Sequence, residues 1–445
     1  METIAIRDGL VYTNGILTEA SILIEDGVIS KISKEGVKGD RIIDASGKLV
    51  LPGAIDVHAH INDPDYLYRE DFRSASRAAL IGGVTTFLEM PLVKDVDDEK
   101  SFHERKSQGE KNSYIDFGIH GSFMKSKNYT KIRELNELGL RTFGEIFTCR
   151  PFPTDDSAII RLLHDSKLTG SLMLFHAEDE GMLSYYFDLF ADRRDQLCVH
   201  EARPPEAEEL AIYKIGMYSL LTGGHAHIVH LSSARGMRAV NMFKELGVDI
   251  TSETCPQYLV LSRKDVERLG PYAKMAPSLK DETDIEELWK GLQHGKVEMV
   301  STDHAPGTRE EKDVGYSNPW QAWGGVPGLA TVFPLLYTYG FERGRLSIEM
   351  LVKVTSENAA RRFGIKGKGS ISVGSSGDLI IIDRNYERIV RGEELYKVGW
   401  SPYDGMKLKG WPQYVLSNGE VAVEDWSFVK RGTGKFIELH PASMK

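Results

Sequence analysis

Gly53-Ala54-Ile55-Asp56-Val57-His58-Ala59-His60 is the stretch on which the reading of this chain turns. An apolar run rich in β-formers ends in two histidines one residue apart, so on a strand of period two both imidazoles point to the same side. Such a pair chelates. A strand that carries two ligands at its C-terminal end, early in a long chain, is what a metal site at the mouth of a (β/α)8 barrel requires. Because His-x-His also arises by chance on a strand edge, the weight falls on whether other apolar runs downstream end in metal-type residues.

They do. Leu172-Met173-Leu174-Phe175-His176 ends an apolar strand in histidine, and His227-Ile228-Val229-His230 does the same one strand later. For either alone, a core histidine bonded to a backbone carbonyl is the plainer reading. Recurrence at successive strand ends reverses it, since strand C-termini converge on one site in a barrel. Val297-Glu298-Met299-Val300-Ser301-Thr302-Asp303 places Asp303 at another such end. There a carboxylate can bind a cation and carry a proton between attacking water and leaving group; capping the following loop is its competing role. His304 points away from Asp303 by alternation, and His225 and His227, at the start of their strand, are expected to be structural. In Thr142-Phe143-Gly144-Glu145-Ile146-Phe147, alternation puts Phe143, Glu145 and Phe147 on one face. A carboxylate among aromatics needs a partner, either a metal or an Arg or Lys.

Around these runs the chain shows a βα rhythm from about 53 to 367, with charged helical segments such as 205–222 and 282–293. Residues 1–52 read instead as short alternating strands with an Asp26-Gly27 turn, and the texture returns in 368–445, where Asn418-Gly419 marks another tight turn. The expectation is an α/β protein: a (β/α)8 TIM-like barrel over 53–367, with a small discontinuous β-sandwich built from 1–52 and 368–445. At 445 residues there is room for both. A net charge of -10 without long charged runs argues against a nucleic-acid surface. No apolar run is long enough to span a membrane, and no charged leader precedes an apolar core at Met1–Asp8. Three widely separated cysteines suit reduced thiols, and the expected location is cytoplasmic.

Taken together, the motifs resemble the amidohydrolase superfamily, in the cyclic amidase branch of dihydroorotase, hydantoinase and allantoinase. The resemblance rests on Asp56-Val57-His58-Ala59-His60, His176 with Glu178-Asp179, His200-Glu201-Ala202-Arg203-Pro204, His230-Leu231-Ser232-Ser233, Ser252-Glu253-Thr254-Cys255-Pro256, Asp303-His304-Ala305-Pro306 and Ser356-Glu357-Asn358-Ala359-Ala360. It implies divalent metal ions, two of them and zinc before others, held by His58, His60, His176, His230 and Asp303 with a bridging group from the strand of Glu145, and Asp303 also catalytic. It implies ring opening of a small-molecule cyclic ureide, with Asn62 and backbone groups near Ser278 and Gly325 as substrate contacts, and a homo-oligomer. Dihydroorotase carries an arginine where this chain has Asn62. His60-Ile61-Asn62-Asp63-Pro64, Leu88-Glu89-Met90-Pro91-Leu92 and Ala322-Trp323-Gly324-Gly325-Val326-Pro327 are similar to allantoinase, although Val93 and Gln257 depart from its pattern. Dihydroorotase-type and hydantoinase-type activities are the alternatives, and a metal-free scaffold is the competing class.

One position departs from the whole branch. Relatives bridge their metals with a lysine that has taken up carbon dioxide, and the matching pattern falls here on Glu145-Ile146-Phe147, with no lysine between Lys131 and Lys167. Glutamate offers the same two oxygens on a stem about 3–4 Å shorter. The expectation is that Glu145 binds directly, that the extra Gly144 lets the strand bulge inward, and that no carboxylated lysine is used.

Overall fold

The computed structural model describes residues 2–61, 63–92, 94–430 and 432–440. Parallel strands β6 (Ala54–Ala59), β7 (Val84–Glu89) and β8 (Asp116–Ile119) form one sheet, and β9 (Thr142–Phe147), β10 (Leu172–His176), β11 (Ala226–Ile228), β12 (Ile250–Thr254) and β13 (Met299–Val300) form a second. Parallel bridges Gly121–Phe143 and Ala59–His304 join the two sheets at both seams, which closes the ring. Helices such as Phe72–Ile81, Asp156–Thr169 and Pro205–Thr222 lie between successive strands and pack their apolar faces on its outside. Leu88, Leu172, Leu174, Val229 and Met299 form a separate buried cluster with Ile55 and Val57, the packed interior on which the strand ends stand.

The rest of the chain builds one nine-stranded sheet from both termini. Its N-terminal part is β1 (Ile4–Thr13), β2 (Ile16–Glu25), β3 (Val28–Ser33), β4 (Arg41–Asp44) and β5 (Leu49–Pro52). After β14 (Leu379–Ile382) and the short pair β15 (Glu387–Ile389) and β16 (Lys407–Lys409), β17 (Pro412–Ser417), β18 (Glu420–Glu424) and β19 (Ser427–Phe428) complete it. The halves meet where β5 pairs antiparallel with β14. Both tight turns are of the kind expected: Asp26 and Gly27, and Asn418 and Gly419, all have positive φ, as a two-residue hairpin turn with right-handed twist demands. A Cβ on Gly419 would come within 2.6 Å of Gly27 Cα, so the two turns rest directly on each other.

We propose the division 1–52 with 368–445 against 53–367 as the domain organisation. It is pinned across by Lys368, which reaches Asp116 at the start of β8 at 2.9 Å and also pairs with Asp378 just before β14. The last stretch crosses back: Phe436 bridges Phe117 on β8, and Leu439 joins the cluster inside the ring.

Candidate metal centre

His58 and His60, at the end of β6, bring their Nε2 atoms to 3.2 Å of each other. Each ring is fixed from behind. His58 Nδ1 donates to Glu253 Oε1 at 2.8 Å and His60 Nδ1 donates to the Met90 carbonyl at 2.8 Å. Since carboxylates and carbonyls only accept, the protons sit on Nδ1 and the lone pairs of both Nε2 atoms face the cluster. Asp303 Oδ1 stands 3.2 Å from His60 Nε2 and 3.5 Å from His58 Nε2. Ligands held about 2.0–2.1 Å from a tetrahedral zinc are separated by about 3.3 Å, and these three atoms already have that spacing. Burial alone would push His58 down, but Asp303, Glu253 and Glu145 outweigh it and lift the group to about 9. The cluster thus calls for positive charge.

Glu145 joins this half to a second. Its Oε2 faces His60 Nε2 at 3.7 Å and His58 Nε2 at 4.0 Å, while its Oε1 lies 2.9 Å from His176 Nδ1 and 2.7 Å from His230 Nε2. Burial would raise the Glu145 carboxyl, yet the bonds from His176 and His230 hold it well below the usual range. His176 Nε2 bonds Glu178 Oε2 at 2.7 Å, and Glu178 is paired in turn with Arg203. An imidazole set between two carboxylates is either an imidazolium or a ring with a cation beside it. The six side chains are all buried, and two sets that share Glu145, one with His58 and His60 and the other with His176 and His230, bring their donor atoms close enough to hold a metal ion.

Local backbone explains how Glu145 arrives. Along β9 and β10, Phe143 pairs with Met173 and Ile146 with Phe175, so Gly144 and Glu145 together oppose the single residue Leu174. That is a bulge on β9. A Cβ on Gly144 would lie 2.7 Å from Leu174 Cβ, so only glycine fits there. The bulge also corrects the reading by simple alternation: Phe143 faces outward and stacks on Phe123, whereas Glu145 and Phe147 face the cavity. His230 and Asp303 both have positive φ, 41° and 49°, a conformation uncommon outside glycine and concentrated at functional sites.

The cluster opens into a cavity of about 570 Å³. Its walls include Tyr66, Phe152, Phe187, Trp320 and Trp323 and the bases Arg69, Lys125, Arg150, Arg203 and Lys274, while its carboxylates are Glu145 and Asp303. Asn62 and Val93 lie outside the described residues. Ser278 and Gly325 stand just behind the wall, which Ala276 and Gly324 form; the Ser278 hydroxyl donates to the His200 carbonyl. His304 turns away from Asp303 to bond Glu70 at 3.0 Å. His225 is held by Asp249, but His227 reaches Glu253 at 3.3 Å and so supports the ring of His58 indirectly. The sequence assigns Glu253 no role, because β12, polar at Thr251, Ser252 and Thr254, lacks the apolar or aromatic neighbours that mark Glu145. Arg150 and Lys274 lie on loops, where period carries no information.

The amidohydrolase family model matches residues 49–422. The chain belongs to that family. It is 35% identical to a dihydroorotase of Methanosarcina acetivorans over 98% of this chain and 96% of that one. It is 33% identical to an allantoinase of Rubrobacter xylanophilus, covering 97% and 96%. The solved L-hydantoinase of Arthrobacter aurescens superposes with a TM-score of 0.92 at 29% identity, covering 99% and 98%. The barrel and the hydrolysis of cyclic amide C–N bonds are therefore those of this amidohydrolase, one of a family of metal-dependent enzymes.

Proposed function

We propose that the chain opens the ring of a cyclic ureide, an allantoin-like ring before others, by hydrolysing a ring amide at a centre of two zinc ions bridged by Glu145. The carrying observation is the two-sided placement of Glu145, one oxygen toward His58, His60 and Asp303 and the other toward His176 and His230. No helix among the described residues is long and apolar enough to cross a membrane, and the three cysteines are free and buried. A cytoplasmic homo-oligomer completes the reading.

Bound divalent cations supply Lewis acidity, which makes a water more acidic and a ring carbonyl more electrophilic. The protein's part is to place the groups. Glu253 and the Met90 carbonyl hold the two imidazoles of β6 in the tautomer that presents Nε2. Asp303, at the cavity floor, takes the proton of the attacking water and returns it to the departing ring nitrogen, leaving an open-chain ureido acid. Aromatic walls exclude bulk water and stack on the flat ring, and backbone groups beside Ser278 and Gly325, with Asn62, hold its urea edge.

Incubating the metal-loaded protein with allantoin, hydantoin, dihydrouracil and dihydroorotate tests this. Ring opening of allantoin above the others is expected. Opening of dihydroorotate or hydantoin instead would move the substrate within the branch. Metal-loaded protein that opens none would overturn the allantoin-like reading and place the substrate outside these four rings.

A further inference from the structure

The cavity wall is basic in a chain whose net charge is -10. Three of its cations are already neutralised: Arg69 by Glu311, Arg150 by Glu180 and Arg203 by Glu178. Lys274 differs. Its ammonium donates to the Trp320 carbonyl at 2.7 Å, and among the described residues no carboxylate stands within ion-pair distance of it. It is half-buried, its ammonium meets no second protein acceptor among the described residues, and it lines the same cavity as Glu145 and Asp303. A desolvated cation without a counter-charge is costly unless a ligand supplies one. Burial pushes Lys274 down to about 8, with neighbouring Arg203 acting in the same direction, so it remains charged at neutral pH.

Its backbone is anchored. The Lys274 carbonyl accepts from the buried ammonium of Lys312 at 2.9 Å, and the same ammonium donates to the Trp323 carbonyl at 2.8 Å. Two cavity walls are thereby tied together and the lysine is held at a fixed height above the floor. At about 570 Å³ the cavity is in the range that takes drug-sized ligands, which leaves room for a substituent beyond the reacting ring.

The geometry points to Lys274 as the residue that selects the substrate, by pairing with an anionic group carried on a side chain of the cyclic ureide. This rests on the ring-opening reading above and deepens it: of two rings alike in all but the charge of the side chain, the acid-bearing one is turned over first.

The test compares 5-(2-carboxyethyl)hydantoin with its neutral amide, 5-(2-carbamoylethyl)hydantoin, on the metal-loaded full chain. The expected kcat/KM ratio favours the acid at least tenfold in the natural protein. Lys274→Met should lower that ratio about 100-fold, and Lys274→Arg should restore most of it, the scale expected for removing one partner of a desolvated charge pair. A ratio near one in the natural protein, which needs no variant, overturns the inference, and so does an unchanged ratio in Lys274→Met. If neither probe is opened, calorimetric binding of the two still decides. Tighter binding of the acid, lost in Lys274→Met, keeps Lys274 and counts only against the hydantoin ring as substrate; equal binding removes Lys274 and leaves the ring-opening reading to its own panel.

Discussion

Glu145 Oε1 lies 2.7 Å from His230 Nε2, a contact across the barrel mouth made by a strand that bulges inward to deliver a short side chain. If this carboxylate holds both halves of the centre, Glu145→Gln should lose one of two bound metals and reduce ring opening beyond the loss of about 10–100-fold typical of outer partners. Metal analysis of the purified variant beside the natural protein reads this. Full stoichiometry with unchanged turnover would remove Glu145 from the centre.

If Asp303 moves the proton as proposed, Asp303→Asn should retain most of the metal and lose about 10²–10⁴-fold in kcat. Steady-state kinetics at equal metal content makes the distinction. His58→Ala should behave oppositely and lose metal itself, because it removes a nitrogen 3.2 Å from its partner His60.

Glu253 is not among the residues lining the cavity, but it fixes His58 and His227 and accepts from Ser301 at 2.8 Å. Glu253→Gln should weaken metal affinity about 10–100-fold with little change in the far-ultraviolet spectrum. A competition titration against a chelator measures it.

Lys368 joins barrel and terminal sheet through two carboxylates and makes stability depend on pH. Burial would raise Asp116, but Lys368 prevails and holds it below its ordinary value. Lys368 is itself raised, its carboxylates outweighing burial. The Asp116 contribution is therefore present above the ordinary carboxylate pKa and fades as pH falls through its lower folded value. The Lys368 contribution is full below the ordinary lysine pKa and fades as pH rises through its higher folded one. Lys368→Met should destabilise by about 3–5 kcal/mol at neutral pH, with the gap closing in strong acid. Thermal melts across pH follow the difference.

The sequence made the outline of the cluster legible because its side chains follow strand ends: the spacing of His58 and His60, and the apolar runs before His176, His230 and Asp303, all report a period that backbone geometry enforces. The orientation of Phe143 was not legible by the same rule, since the bulge at Gly144 and Glu145 resets the alternation between Phe143 and Ile146. Lys274 escaped for another reason. It lies in a loop, and its meaning comes from what surrounds it in space, the arginines already paired and the carbonyl of Trp320.

The central claim is that Glu145 is itself the bridge, with no carbon dioxide adduct in its place. It is tested by stripping the protein of metal and reconstituting it with zinc in bicarbonate-free buffer and in graded bicarbonate, with metal content and ring opening read together. Two zinc ions per chain and full activity without bicarbonate are predicted. Recovery that rises with bicarbonate would contradict the account.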